Sequence, residues 1–186
     1  MTRYIGSSIK LCAAVAALQK IKQIRQSLGV DMSLWTPLSF HPLTPEEKCE
    51  AEDPSNLNGH KITIAHEIRK LFLVSDNEAY NRLYGFIGQR CLNQAMWDAG
   101  LESVQLTHRL SKPMTEIENR LCAAVEVDAE SGAFTLAPKR STLQIDKAKH
   151  LNGIAIGTAH LIGDKQLVLY NAVQLLCLPI RLWVIT

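Results

Sequence analysis

The chain has 186 residues, of which 47% are apolar and 20% charged, with 20 basic against 18 acidic side chains and a formal net charge of +2. That composition describes a soluble globular domain long enough to bury one core, and it excludes disordered, collagenous and low-complexity chains. The near balance of charge leaves no single-sign field to hold nucleic acid or an anionic membrane surface, so neither is expected as a partner.

In chain order, a first helix is expected over residues 8–28, closing at Gly29, which is free to take the left-handed conformation that ends helices. Its first turns, Leu11 to Leu18, are apolar on all sides, which predicts a buried helix. With Arg3 and Lys10 before it, the same run has the outline of a signal peptide. The apolar positions continue in helical register through Ile21, Ile24 and Leu28, which favours the helix, and no clear signal peptide is read. Residues 30–60 hold Pro37, Pro42, Pro45 and Pro54 and read as a long irregular excursion with one helical turn at 45–49.

A second helix starts with Thr63 as its cap and carries Ile64, Ile68, Leu71 and Phe72 as an apolar stripe. It is interrupted at Ser75-Asp76-Asn77. A third helix presents Tyr80, Leu83, Tyr84 and Ile87, and a fourth covers residues 89–99 with Gly100 as its cap. Short β-rich runs follow at 125–127 and 134–136, then a hairpin of 154–162 with 167–173 turning at Gly163-Asp164. The apolar run 166–186 is broken by Asn171, Gln174, Pro179 and Arg181, so it reads as buried strand and no membrane span is expected. The order is helical first and β afterwards.

The cysteines Cys12, Cys49, Cys91, Cys122 and Cys177 lie roughly 30 to 55 residues apart, without the close pairs that zinc and redox motifs need. The histidines likewise lack metal spacing, so neither a metal nor another cofactor is expected.

Two short motifs carry chemistry: Ser7-x-x-Lys10 and Ser75-Asp76-Asn77. Ser7 sits where the first helix begins, near its unpaired backbone donors and positive dipole end, and Lys10 falls one turn along on the same face. A lysine buried there would lose hydration and become a neutral amine able to take the serine proton. The plain alternatives are an N-cap at Ser7 with a solvated Lys10, and a capping box formed by Ser75 and Glu78.

Ser-x-x-Lys and Ser-Asp-Asn are two of the three signatures of class A β-lactamases and penicillin-binding proteins. The segment 62–88 resembles the corresponding segment of class A β-lactamase-like serine hydrolases: a helix opening with Thr63, the tripeptide, Asn81 along the next helix, and Gly88 before another. Residues 4–18 likewise resemble that family's nucleophile segment, and the likeness spans about residues 3–101. It implies an α/β (α+β) fold of the β-lactamase/transpeptidase type, with a helical lobe over about 7–101 and an incomplete antiparallel sheet in 102–186, all in one domain. It also implies acyl transfer to Ser7, with Lys10 as proton partner, Ser75 as a hydroxyl relay and Asn77 touching substrate. Glu116 and Glu118 are the candidates for the deacylation base, without the family's spacing to a Leu-Asn pair. The implied substrate is a small molecule, a β-lactam or peptidoglycan-like amide, and the implied location is periplasmic or extracellular.

The family's third signature, Lys-[Ser/Thr]-Gly, does not occur after Asn77, and Ser7 lies almost at the first residue. The sequence therefore reads as the middle of the fold, apparently truncated at both ends. A catalytically silent fragment and a D,D-peptidase-like relative stay open beside the β-lactamase reading.

Overall fold

A computed structural model describes residues 7–101 and 104–143, together with the backbone of two strands at 158–162 and 165–169. Helix α1 (Ile9–Leu28) ends where Gly29 turns left-handed at φ 66° and donates its N–H to the Arg25 carbonyl, as the sequence predicts. One face of α1 is nearly solvent-free, through Ile9, Ala13, Ala14, Ala16, Ala17, Ile21 and Ile24. Burial on all sides is not found, because Leu11, Val15 and Leu18 are exposed on the other face. The buried alanines let α3 (Asn77–Ile87) and α4 (Gln89–Asp98) approach α1 closely.

The excursion after α1 corrects the order of helices first and strands afterwards. It contains β1 (Pro37–Phe40) and ends in β2 (Ile62–Thr63), both in the principal sheet. That antiparallel sheet runs β2-β1-β4-β5, where β4 is Val125–Ala129 and β5 is Gly132–Leu136. Leu38 of β1 lies opposite Val127 of β4, and alternate residues of β4 face the core. The stretch around Pro45 and Glu46 is a turn, not a helical turn. Two further pairs complete the β structure: β3 (Leu121–Cys122) with β6 (Lys139–Arg140), and the hairpin β7 (Thr158–Ile162) with β8 (Lys165–Leu169). The expected turn at Gly163-Asp164, Cys177 and the apolar run beyond residue 169 lie outside the described residues.

Helix α2 (Ile64–Leu73) begins as predicted, with the Thr63 hydroxyl accepting the His66 N–H at 3.2 Å. Ile64 and Leu71 are buried, but Phe72 is exposed and leaves the expected stripe. Helix α3 is central, packing against α1, α2 and α4, with Tyr80, Leu83, Tyr84, Phe86 and Ile87 almost wholly buried. Helices and a small antiparallel sheet make this an α+β fold, as expected.

Candidate active site

The break between α2 and α3 sets the site. Val74 ends α2, and Asp76 caps α3 by accepting the Ala79 N–H at 2.8 Å. The cap is thus Asp76, one residue later than a Ser75–Glu78 box requires, and Ser75 is released from capping. Ser75 sits between the helices at φ 53°, a left-handed conformation that a non-glycine residue adopts only when its surroundings hold it.

What holds it comes from α1. Lys10 Nζ donates to the Ser75 hydroxyl at 2.8 Å and also to the Ser75 carbonyl oxygen. The Ser7 and Ser75 hydroxyls lie 3.0 Å apart. Residues 65 or more positions apart in the chain therefore converge on one point, with both hydroxyls exposed and the ammonium buried to 3% exposure. Neither plain alternative describes this arrangement: Lys10 is not solvated, and Ser7 precedes the capping position, Ser8, which makes no side-chain cap. Burial lowers the Lys10 pKa, and the Asp76 carboxylate opposes that shift.

On the other side of the turn lies a set of charges that sequence reasoning did not find. Lys70 Nζ bridges Asp76 at 3.1 Å and Asp53 at 2.8 Å. Asp53 also accepts both the hydroxyl and the N–H of Ser55. Arg82 of α3 adds ion pairs to Glu67 and Glu50, each at 2.9 Å, and to Asp53 at 3.6 Å. Burial works against ionising Asp76 and Asp53, but hydrogen bonds and Lys70 outweigh it and hold both carboxyls below their ordinary values. The sequence signal was the spacing of Lys70 and Asp76, one helical turn and a break apart, but Asp53 is brought in from the irregular excursion.

Asn77, expected to touch substrate, donates from its side-chain amide to the Ser111 hydroxyl at 2.8 Å. Ser111 is a second non-glycine residue held left-handed, at φ 54°, and nothing in its local sequence marked it. Its segment is fixed by side-chain amides that imitate strand pairing. Asn81 exchanges two hydrogen bonds with the Leu110 backbone, and Asn93 does the same with Leu106. Glu116 and Glu118 are engaged on the short helix α5 (Glu116–Asn119): Glu118 closes a capping box with Thr115, and Glu116 pairs with Arg120 at 2.9 Å. The described contacts join Ser7, Lys10 and Ser75 into one cluster and place Asn77 on Ser111.

Among the described residues no group of histidine, cysteine or acidic side chains has metal-binding geometry, and no helix is long and apolar enough to cross a membrane. Searches of the curated proteins and of the solved structures return no match. A family model described as the beta-lactamase enzyme family matches residues 2–141, three quarters of the chain and all of the elements that build this site. The chain belongs to the β-lactamase enzyme family, whose members act as hydrolases on small-molecule substrates.

Proposed function

We propose that the protein is a serine hydrolase of the class A β-lactamase type, acylated at Ser7 by a β-lactam or a peptidoglycan-like amide. The observation that carries the reading is the convergence of the exposed Ser7 and Ser75 hydroxyls on the buried Lys10 amine. In the acylation step the Ser7 oxygen forms a bond to the substrate carbonyl carbon. Its proton passes to the Ser75 oxygen while the Ser75 proton passes to the neutral Lys10 amine. When the ring or amide C–N bond breaks, the leaving nitrogen takes a proton back through the same Ser75 hydroxyl. Asn77 offers its side-chain amide to the substrate in exchange for its bond to Ser111.

Glu116 and Glu118 are the candidates for activating the deacylating water. A periplasmic or extracellular location accompanies the reading, since the substrates are found there.

A fluorescent penicillin tests it directly. Covalent labelling is expected for the wild type, is lost in Ser7→Ala, and falls at least about a hundredfold in Lys10→Met, the scale of a missing general base. Absence of labelling in the wild type at millimolar probe would sink the reading. Labelling without turnover of a chromogenic β-lactam would favour the D,D-peptidase-like alternative.

A further inference from the structure

The dipeptide Ser75-Asp76 is gripped from opposite sides by two lysines. Lys10 of α1 holds Ser75, and Lys70 of α2 holds Asp76. The second grip is anchored in turn, because Lys70 also bonds Asp53, itself fixed by Ser55 and flanked by Arg82. Lys70 is only 17% exposed and Asp53 10%, so water screens this chain of charges weakly.

We propose that Lys70, anchored by Asp53, is a positioning residue for acylation: it neutralises and fixes the Asp76 carboxylate beside Lys10, so that Ser75 is held in place and Lys10 is left able to act as the base. This rests on the reading of Ser7, Lys10 and Ser75 given above. Neither residue of the pair touches the reacting atoms, and both act through Asp76.

The charged groups that meet here are few. Lys10 comes from α1, Asp76 from the turn, Glu67 and Lys70 from α2, Arg82 from α3, and Asp53 with Glu50 from the stretch before β2. His66 of α2 lies 3.7 Å from Asp53 and is held largely neutral, with burial the leading cause of its lowered pKa. The Asp76 charge favours the protonated form of Lys10, and the Lys70 cation, 3.1 Å from the same carboxylate, stands where it offsets that pull. Removing Lys70 and removing Asp53 must then act in opposite directions. Lys70→Gln leaves Asp76 uncompensated and raises the Lys10 midpoint. Asp53→Asn gives Asp76 the undivided Lys70 charge and lowers it. A merely structural loosening would move both the same way.

The experiment follows Lys10 itself in the full chain, by NMR titration of isotopically labelled lysine side chains, with the Lys10 signal assigned as the one absent from Lys10→Arg. The expected result is an upward shift of about one pH unit in Lys70→Gln, a downward shift in Asp53→Asn, and little change in Lys70→Arg. An unchanged midpoint in Lys70→Gln, or equal-signed shifts in the two variants, overturns the proposal. If one variant does not fold, the sign of the other still decides. In parallel, penicillin labelling at neutral pH should fall about tenfold in Lys70→Gln and recover in Lys70→Arg, since one pH unit changes the neutral fraction tenfold. A wild type that is never labelled would defeat the acylation reading, while the NMR midpoints would still judge the electrostatic pair.

Discussion

Lys10 is costly to the fold and is placed where chemistry needs it. A lysine at 3% exposure gives up hydration, and in return it donates hydrogen bonds to an exposed turn that water could satisfy as well. Lys10→Met is therefore expected to raise stability by about 1 kcal/mol while abolishing acylation, as urea unfolding alongside penicillin labelling would show. The pH dependence has a definite sign. Between the lowered folded pKa of Lys10 and its ordinary 10.5, the unfolded chain binds the extra proton, so stability rises with pH across that window. Acylation rises through the same folded midpoint and levels off above it. Asp53 and Asp76 give the same sign at the acid end, where the unfolded chain again binds the extra protons. Their contribution is complete above the ordinary carboxylate value of 3.8 and is lost as pH falls from there through their depressed folded values. Asp53→Asn is expected to flatten the acid limb of the urea midpoint plotted against pH.

At the scale of the elements, the cap of α3 does two tasks at once. Asp76→Ala removes a side-chain cap and one partner of a half-buried lysine, so a loss of about 2 kcal/mol is expected, read from the shift in the urea midpoint. A smaller loss would mean that Lys70 finds Asp53 sufficient. Helix ends of this kind were legible in the sequence where one residue type dictates them, as at Gly29 and Thr63. The α3 stripe was legible for the same reason, since aromatic and aliphatic residues recur at helical spacing with no competing pattern. The Ser75 cap was misplaced by one because serine and aspartate cap equally well, and only the tertiary pull of Lys10 on Ser75 decides between them. Strand β1 was not legible. Its four residues start with Pro37 and are followed closely by Pro42, and prolines at strand ends read as loop unless a partner strand is known. Ser111 and Asp53 were hidden for a related reason: each enters the site from an irregular segment whose course is fixed by distant side chains.

Across the whole molecule, the segment bearing Ser111 is held to α3 and α4 by asparagine amides. Asn93 is fully buried and satisfies both the N–H and the carbonyl of Leu106. Asn93→Ala leaves two buried backbone groups unpaired, and a loss of about 2–3 kcal/mol is expected from urea unfolding, with a parallel drop in Tm. Full wild-type stability in that variant would show that water replaces the amide. The family assignment spans this same framework, since the matched residues 2–141 include α1, the α2–α3 turn, Ser111 and the principal sheet.

The pairing of β1 with β4 joins residues roughly 90 positions apart, and α2, α3 and α4 all lie in the loop it closes. Single helices form within short stretches of chain, whereas this sheet must wait for its far strand, and α1 must wait for α3 and α4. Ser7 and Ser75 stand at helix ends, and they meet Lys10 across 65 or more positions of chain, a separation of the same order. During refolding, reactivity toward a penicillin is thus expected to return together with the sheet, since both wait for distant parts of the chain to meet.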